Sequence, residues 1–123
     1  MKTIGLLGGM SWESTALYYR LINEGVREKL GGIHSAQSLM YSVDFGEIEP
    51  EMETERWDLV LERLVAGSRA VERGGADFLV ICTNTMHKLA DQVADVGADA
   101  EVGQFSPIQG QTQCHAAIVA SIY

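Results

Sequence analysis

The stretch ADFLVI at residues 76–81 decides the fold class of this sequence. It is a nearly continuous apolar run, which is typical of a central parallel strand buried on both faces. Gly74 and Gly75 precede it and end residues 57–73, a segment whose apolar residues recur at the helical period. The pattern therefore predicts a helix that leads, through a glycine turn, into a buried strand.

The same pattern extends toward the N-terminus. Residues 3–7 predict a first strand that leaves through the turn Gly8-Gly9, and residues 12–30 predict the helix that follows. The residues expected on the buried face of this helix are Ala16, Tyr19, Ile22, Val26 and Leu30. The pair Tyr18-Tyr19 is expected in the core.

The remaining segments complete the alternation. Residues 38–43 predict a second strand, and residues 44–58, which carry seven acids and Pro50, predict a loop or short helical turn. Trp57 is expected in the core. A last helix is predicted after residue 82, through about residue 96. The order β-α-β-α-β-α predicts an α/β fold with a parallel sheet, flanking helices and right-handed crossovers.

Composition excludes several classes of protein. The 123 residues are 46% hydrophobic and 21% charged, which is ordinary for one globular domain. The net charge of −8 argues against nucleic-acid and anionic-membrane partners, because both need clustered Lys and Arg. No apolar stretch approaches the roughly 20 residues of a membrane-spanning helix. No secretory signal is evident, and two cysteines do not form a disulfide framework, so a cytoplasmic location is expected.

Cys82 directly follows the buried strand, at the sheet edge where ligand chemistry collects in parallel sheets. At the start of a helix, the backbone N–H groups and the helix dipole should lower the pKa of its thiol. Thr83, Asn84 and Thr85 are helix-capping residue types that can hold a carboxylate. A thiolate beside a carboxylate could remove the proton from the adjacent carbon. The alternative is a cysteine that only fills the end of a strand.

The turn Gly8-Gly9-Met10-Ser11 falls at the same edge, with Ser11 predicted to cap the following helix. It lacks the Gly-x-Gly-x-x-Gly pattern, and no Gly-Lys-[Ser/Thr] is present, so a nucleotide is not expected. The alternative is a tight turn without a binding role. The residues considered for a metal site have spacings unlike any zinc module, so no metal is expected. They are Cys82, Cys114, His34, His87 and His115.

Five successive motifs then resemble the landmarks of one family, the aspartate/glutamate racemases. They are MKTIGLLGGMSWEST at 1–15, YYRLIN at 18–23, GGIHSA at 31–36, SVDF at 42–45 and ICTNTMHK at 81–88. The resemblance implies a cofactor-independent amino-acid racemase built from two pseudo-symmetric α/β domains. In such an enzyme one cysteine from each domain faces the substrate α-carbon. The implied partner is a small amino acid such as aspartate or glutamate, and a homodimer is compatible with the family.

The resemblance also implies roles for individual residues. Cys82 matches the catalytic cysteine of the N-terminal domain, and Thr83, Asn84 and Thr85 match the residues that bind the substrate α-carboxylate. Met10 lines the same pocket. Met52 stands near a position where the family often carries a polar residue, commonly Gln. Because Met52 cannot make the hydrogen bonds of Gln, the preferred substrate side chain stays open.

The second half of the family pattern is not found in this sequence. The Gly-Cys-Thr-Glu motif of the second catalytic cysteine is absent, and the surroundings of Cys114 do not resemble it. We therefore divide the chain into a racemase-like domain at residues 1–96 and an atypical tail at residues 97–123. Such a tail is typical of a truncated or frameshifted product. The expected activity of the chain alone is weak or absent, and the alternatives are an inactive fragment or a module that binds an amino acid without catalysis.

Overall fold

The computed structural model describes residues 1–82 and the backbone of residues 101–103. In chain order the elements are β1 (Ile4–Gly8), α1 (Trp12–Leu30), β2 (Ser38–Ser42), α2 (Phe45–Glu53), α3 (Trp57–Arg73), β3 (Phe78–Ile81) and β4 (Glu101–Gly103). The predicted α/β class is confirmed. The helix predicted through residue 96 lies outside the described residues, as does the tail apart from β4. No helix among the described residues has the length and apolar content to cross a membrane.

The four strands form one parallel sheet in the order β2-β1-β3-β4. β1 is central: Leu6 lies opposite Met40 of β2 on one side and opposite Val80 of β3 on the other. The chain moves from β1 outward to β2 and then returns across β1 to β3. The direction of winding therefore reverses between β1 and β3, which is the arrangement of doubly wound sheets.

Alternation along the strands creates two apolar layers, one on each face of the sheet. On one face, Ile4, Leu6 and Val80 pack against α1 through residues that include Ile22 and Val26. The other face carries Leu7, Leu79 and Ile81, which pack against α3 and against Ile48 of α2. Most of these side chains are fully buried. Helices on both faces explain why β3 is apolar at successive positions.

Two details of the prediction need correction. Residues 45–53 form a nine-residue helix, α2, where a loop or short turn was expected. Asp44 caps it by accepting a hydrogen bond from the Gly46 amide at 2.9 Å, and Pro50 is accommodated inside it. The buried face of α1 also differs from the prediction. Thr15 and Tyr18 are buried there together with Ile22 and Val26, whereas Ala16, Tyr19 and Leu30 are exposed.

Candidate active site at the carboxyl edge of the sheet

Both motifs singled out in the sequence meet at the carboxyl edge of the sheet. The Cys82 amide donates a hydrogen bond to the Leu7 carbonyl at 2.9 Å, which continues the pairing of β3 with β1. On the other side, the Val43 amide donates to the Gly8 carbonyl at 2.8 Å. The end of β1 is thus held between the ends of β2 and β3. It lies where the winding of the sheet reverses, the usual place for a ligand in such folds.

The β1–α1 turn, residues 9–11, needs a glycine at its first position. Gly9 has φ +96°, and a Cβ there would overlap the backbone of Val43. Ser11 is extended and caps α1, as predicted, by accepting from the Ser14 amide at 3.4 Å. Thr15 accepts a hydrogen bond from the Gly9 amide at 3.0 Å and donates one to the Ser11 carbonyl at 3.0 Å. The turn is therefore held from inside the protein.

Cys82 lies at the end of β3 and is fully buried. It belongs to the apolar layer beneath α1, with Val80 and Phe78 as neighbours on its own strand. Its thiol donates a weak hydrogen bond to the Val80 carbonyl, with a sulfur–oxygen distance of 3.9 Å. Its place in the fold matches both the catalytic hypothesis and the strand-filling alternative. The capping residues Thr83, Asn84 and Thr85 lie outside the described residues, and their roles stay predictions.

Met10 and Met52 belong to a single apolar cluster. Met10 is 6% exposed and is the central residue of the β1–α1 turn. Met52, near the end of α2, is half-buried and packs against the same cluster, which includes Ile48. This cluster lies on the α3 face of the sheet, whereas the Cys82 side chain belongs to the α1 face. The structure therefore groups the two methionines with each other rather than with the thiol.

Two ion pairs of Arg63 join α2 to α3, and the sequence analysis did not predict them. Arg63 approaches Glu47 at 2.8 Å through Nη1 and Glu51 at 2.8 Å through Nη2, and its Nε lies 3.0 Å from both Glu51 oxygens. The hydrogen bonds that the Arg63 guanidinium donates to Glu51 raise the pKa of Arg63. An open groove of about 420 Å³ lies beside these pairs, between α2, α3 and the end of β2. Helical spacing within one segment could not reveal the contact, because Arg63 follows Glu51 by twelve residues.

The histidines contribute nothing to this edge in the part of the chain that is described. His34 is exposed on the connection between α1 and β2, beside Tyr19 and Asn23. His87, Cys114 and His115 lie outside the described residues. Among the residues that are described, no three of His, Cys, Asp and Glu come close enough together to hold a metal ion.

Known proteins match this arrangement in sequence and in fold. The model of the family described as Asp/Glu/Hydantoin racemase matches residues 7–97. A candidate Asp/Glu racemase from Yersinia pestis is 45% identical, with a TM-score of 0.80 over 83% of this chain. An aspartate racemase homologue from Pyrococcus horikoshii OT3 is 31% identical, with a TM-score of 0.77 over 84% of this chain. The chain spans 44% of the length of each of these two structures.

Proposed function

This chain belongs to the Asp/Glu/hydantoin racemase family, and we propose that it forms one half of a cofactor-independent amino-acid racemase. In this proposal the Cys82 thiolate removes the α-proton of an amino acid such as aspartate or glutamate. Thr83, Asn84 and Thr85 hold the α-carboxylate of that substrate. Met10 and Met52, which pack on the α3 face of the sheet rather than on the α1 face of Cys82, form the apolar wall on the opposite side of the pocket in this proposal. A cytoplasmic location and a homodimer stay predictions.

The observation that carries this proposal is the position of Cys82. It directly follows β3 and is bound through its amide to Leu7 of β1, at the point where the winding of the sheet reverses. Crevices at such points are the usual ligand sites of open α/β sheets. A cysteine placed there can act as a general base, provided that its thiol is ionised and reaches the α-carbon.

Inversion at the α-carbon needs a second group, because the proton must leave one face and return on the other. A single thiolate at Cys82 accounts only for the abstraction and for return of a proton to the same face. In the proposal the second cysteine belongs to a second domain, which the resemblance implies. We therefore expect this chain alone to exchange the α-proton more readily than it inverts the stereocentre.

The test is α-proton exchange in heavy water, followed by NMR, with L-aspartate, L-glutamate and L-homoserine as probes. Circular dichroism first establishes that the chain is folded. We expect Cys82→Ser to lower the exchange rate by about 100-fold or more, the usual contribution of a general base. Cys114→Ala, which changes the second cysteine of the chain, should leave the rate unchanged. Exchange that persists in Cys82→Ser would contradict the proposed role.

The full burial of Cys82 favours a second candidate function, binding of an amino acid without chemistry. A base must approach the α-carbon, whereas a binding site needs only the carboxylate contacts. Isothermal titration calorimetry with the same three amino acids distinguishes the candidates. Heat of binding without α-proton exchange would support the binding module, and neither signal from a folded chain would contradict both functions.

A further inference from the structure

We propose that Thr15 is a positioning residue, one that sets the conformation of the β1–α1 turn and thereby the place of Met10 in the pocket. The claim about the turn rests on geometry alone. The claim about the pocket rests on the proposed function, because it takes Met10 as part of the substrate wall. Thr15 itself is 3% exposed and is not expected to touch a substrate.

The Thr15 hydroxyl binds the backbone on both sides of Met10. Its oxygen accepts from the Gly9 amide at 3.0 Å, and its proton goes to the Ser11 carbonyl, with an oxygen–oxygen distance of 3.0 Å. One hydroxyl therefore satisfies a buried donor and a second backbone group across three consecutive residues. A buried backbone amide without a partner is strongly disfavoured, so the hydroxyl restricts the conformations of the turn.

Gly8 makes this contact sterically feasible. A Cβ at position 8 would lie 2.6 Å from the Thr15 hydroxyl oxygen and 3.0 Å from the Thr15 Cβ. Real Cβ atoms do not approach other heavy atoms so closely, and any side chain at position 8 would push Thr15 away from Gly9. The glycine at the end of β1 and the threonine in the first turn of α1 are thus one structural unit.

The backbone bonds at the sheet edge stop before Met10. The Leu7 carbonyl binds the Cys82 amide, and the Gly8 carbonyl binds the Val43 amide. These bonds hold the strand end, whereas residues 9–11 leave the sheet and are held by Thr15. The Ser11 carbonyl also accepts from the Thr15 backbone amide at 3.0 Å. Loss of the hydroxyl should therefore release the turn at Gly9 and leave this bond and the pairing of β1 with its neighbours intact.

The experiment compares Thr15→Val, which keeps the shape and removes the hydroxyl, with Thr15→Ser, which keeps the hydroxyl. Ser68→Ala is the matched control, because Ser68 is equally buried and donates only to the Leu64 carbonyl of its own helix, at 2.8 Å. Amide hydrogen exchange is measured by NMR at Gly9 and at Leu79 of β3, so that their ratio removes the effect of global stability. Thr15→Ala replaces Thr15→Val if the latter does not fold.

In Thr15→Val we expect the Gly9 amide to exchange about tenfold faster relative to Leu79, because a buried amide is left without its hydrogen-bond partner. Thr15→Ser should stay within about threefold of the wild-type ratio, because the hydroxyl can still bind both groups. Ser68→Ala should leave the ratio unchanged even where it lowers global stability. An unchanged ratio in Thr15→Val would overturn the proposal, whatever the activity of the chain.

The link to the pocket is tested with the amino-acid probe that the wild type binds. Because Met10 is proposed as a wall rather than a base, Thr15→Val should raise the dissociation constant or KM more than it lowers the exchange rate at saturation. A reduced saturating rate at unchanged KM would overturn this link. If the wild type neither binds nor exchanges any probe, the proposed function fails, and the amide ratio still decides whether Thr15 holds the turn.

Discussion

The β1–α1 turn and helix α2 each carry one methionine of the proposed pocket, but they are held in different ways. Met10 sits in a turn fixed by two hydrogen bonds of the Thr15 hydroxyl, which accepts from the Gly9 amide and donates to the Ser11 carbonyl, and by the hydrogen-bonded ends of neighbouring strands. Met52 sits on α2, which Arg63 joins to α3 through Glu47 and Glu51 at 2.8 Å each. One methionine is therefore held by buried hydrogen bonds, whereas the helix that carries the other combines apolar packing through Ile48 with partly exposed ion pairs.

This difference in how the two methionines are held predicts a difference in how the two sides of the proposed pocket respond to salt. Buried hydrogen bonds are little affected by salt, and breaking one leaves a polar group without water. Ion pairs near the surface are screened by salt and contribute little individually. Glu47 is largely exposed, although Glu51 is mostly covered. We therefore expect the contribution of Arg63 to holding α2, which carries Met52, to depend on salt, and the hydrogen bonds on both sides of Met10 to be insensitive to it.

The largest expected effect comes from Gly9→Ala in the turn. Its φ of +96° is strained for alanine, and the added Cβ would overlap the Val43 backbone. We expect a loss of about 3–4 kcal/mol in the free energy of unfolding, from backbone strain and overpacking together. Urea unfolding followed by circular dichroism measures this loss.

Gly75→Ala is the matched control for this substitution. Gly75 has φ +105°, but a Cβ there meets no atom within 4 Å. It should cost only about 1–2 kcal/mol, the strain of the left-handed region alone. Equal losses in the two variants would show that the close approach to Val43 adds nothing, and the turn would then be no more tightly fixed than an exposed glycine turn.

Sequence alone predicted α1 and α3 with the correct ends, Trp12–Leu30 and Trp57–Arg73. Both helices have a clear apolar period, and a glycine pair follows each of them. The buried strand β3 was equally clear, because it lies between two layers of helices and is apolar at every position. Through β3, the sequence also placed Cys82 at the correct edge of the sheet.

The parts that sequence did not predict depend on long-range or unusual contacts. α2 was obscured by Pro50 and by acids whose partner, Arg63, lies on the next helix. In the first half of α1 the buried face was placed one residue too late, since Thr15, a polar residue, is buried through its hydrogen bonds to the turn. At the other end of α1, Leu30 was expected in the core and is exposed. A pattern of apolar residues does not indicate which hydroxyl group is buried because of its hydrogen bonds. It also does not indicate which charged residues form ion pairs between two helices.

On the α2 side, Arg63→Met should loosen α2 without unfolding the sheet. At low salt we expect amide exchange at Ile48 to become several times faster relative to Leu79, because two ion pairs to α2 are lost. At about 1 M salt the wild type and the variant should converge, since the screening length falls to about 3 Å.

Arg56→Met is the control for this comparison, because Arg56 pairs at 3.2 Å with Asp58, only two residues away. It should leave the exchange at Ile48 unchanged. A salt-independent effect of Arg63→Met would mean that the directional hydrogen bonds of the guanidinium, rather than its screened charge, hold α2. Both methionines would then be held by hydrogen bonds, and the contrast in salt dependence would disappear.

The smallest expected effect concerns the exposed pair of Arg56 and Asp58. The hydrogen bond from Arg56 lowers the pKa of the Asp58 carboxyl below its ordinary value. The folded chain therefore favours the carboxylate, so the pair stabilises the fold above the ordinary pKa, and this contribution is lost as the pH falls through the lowered value.

NMR titration of Asp58 should show its pKa rising toward the ordinary value in Arg56→Gln and unchanged in Arg63→Met. An unchanged pKa in Arg56→Gln would assign the shift to the first turn of α3, where backbone amides favour an anion.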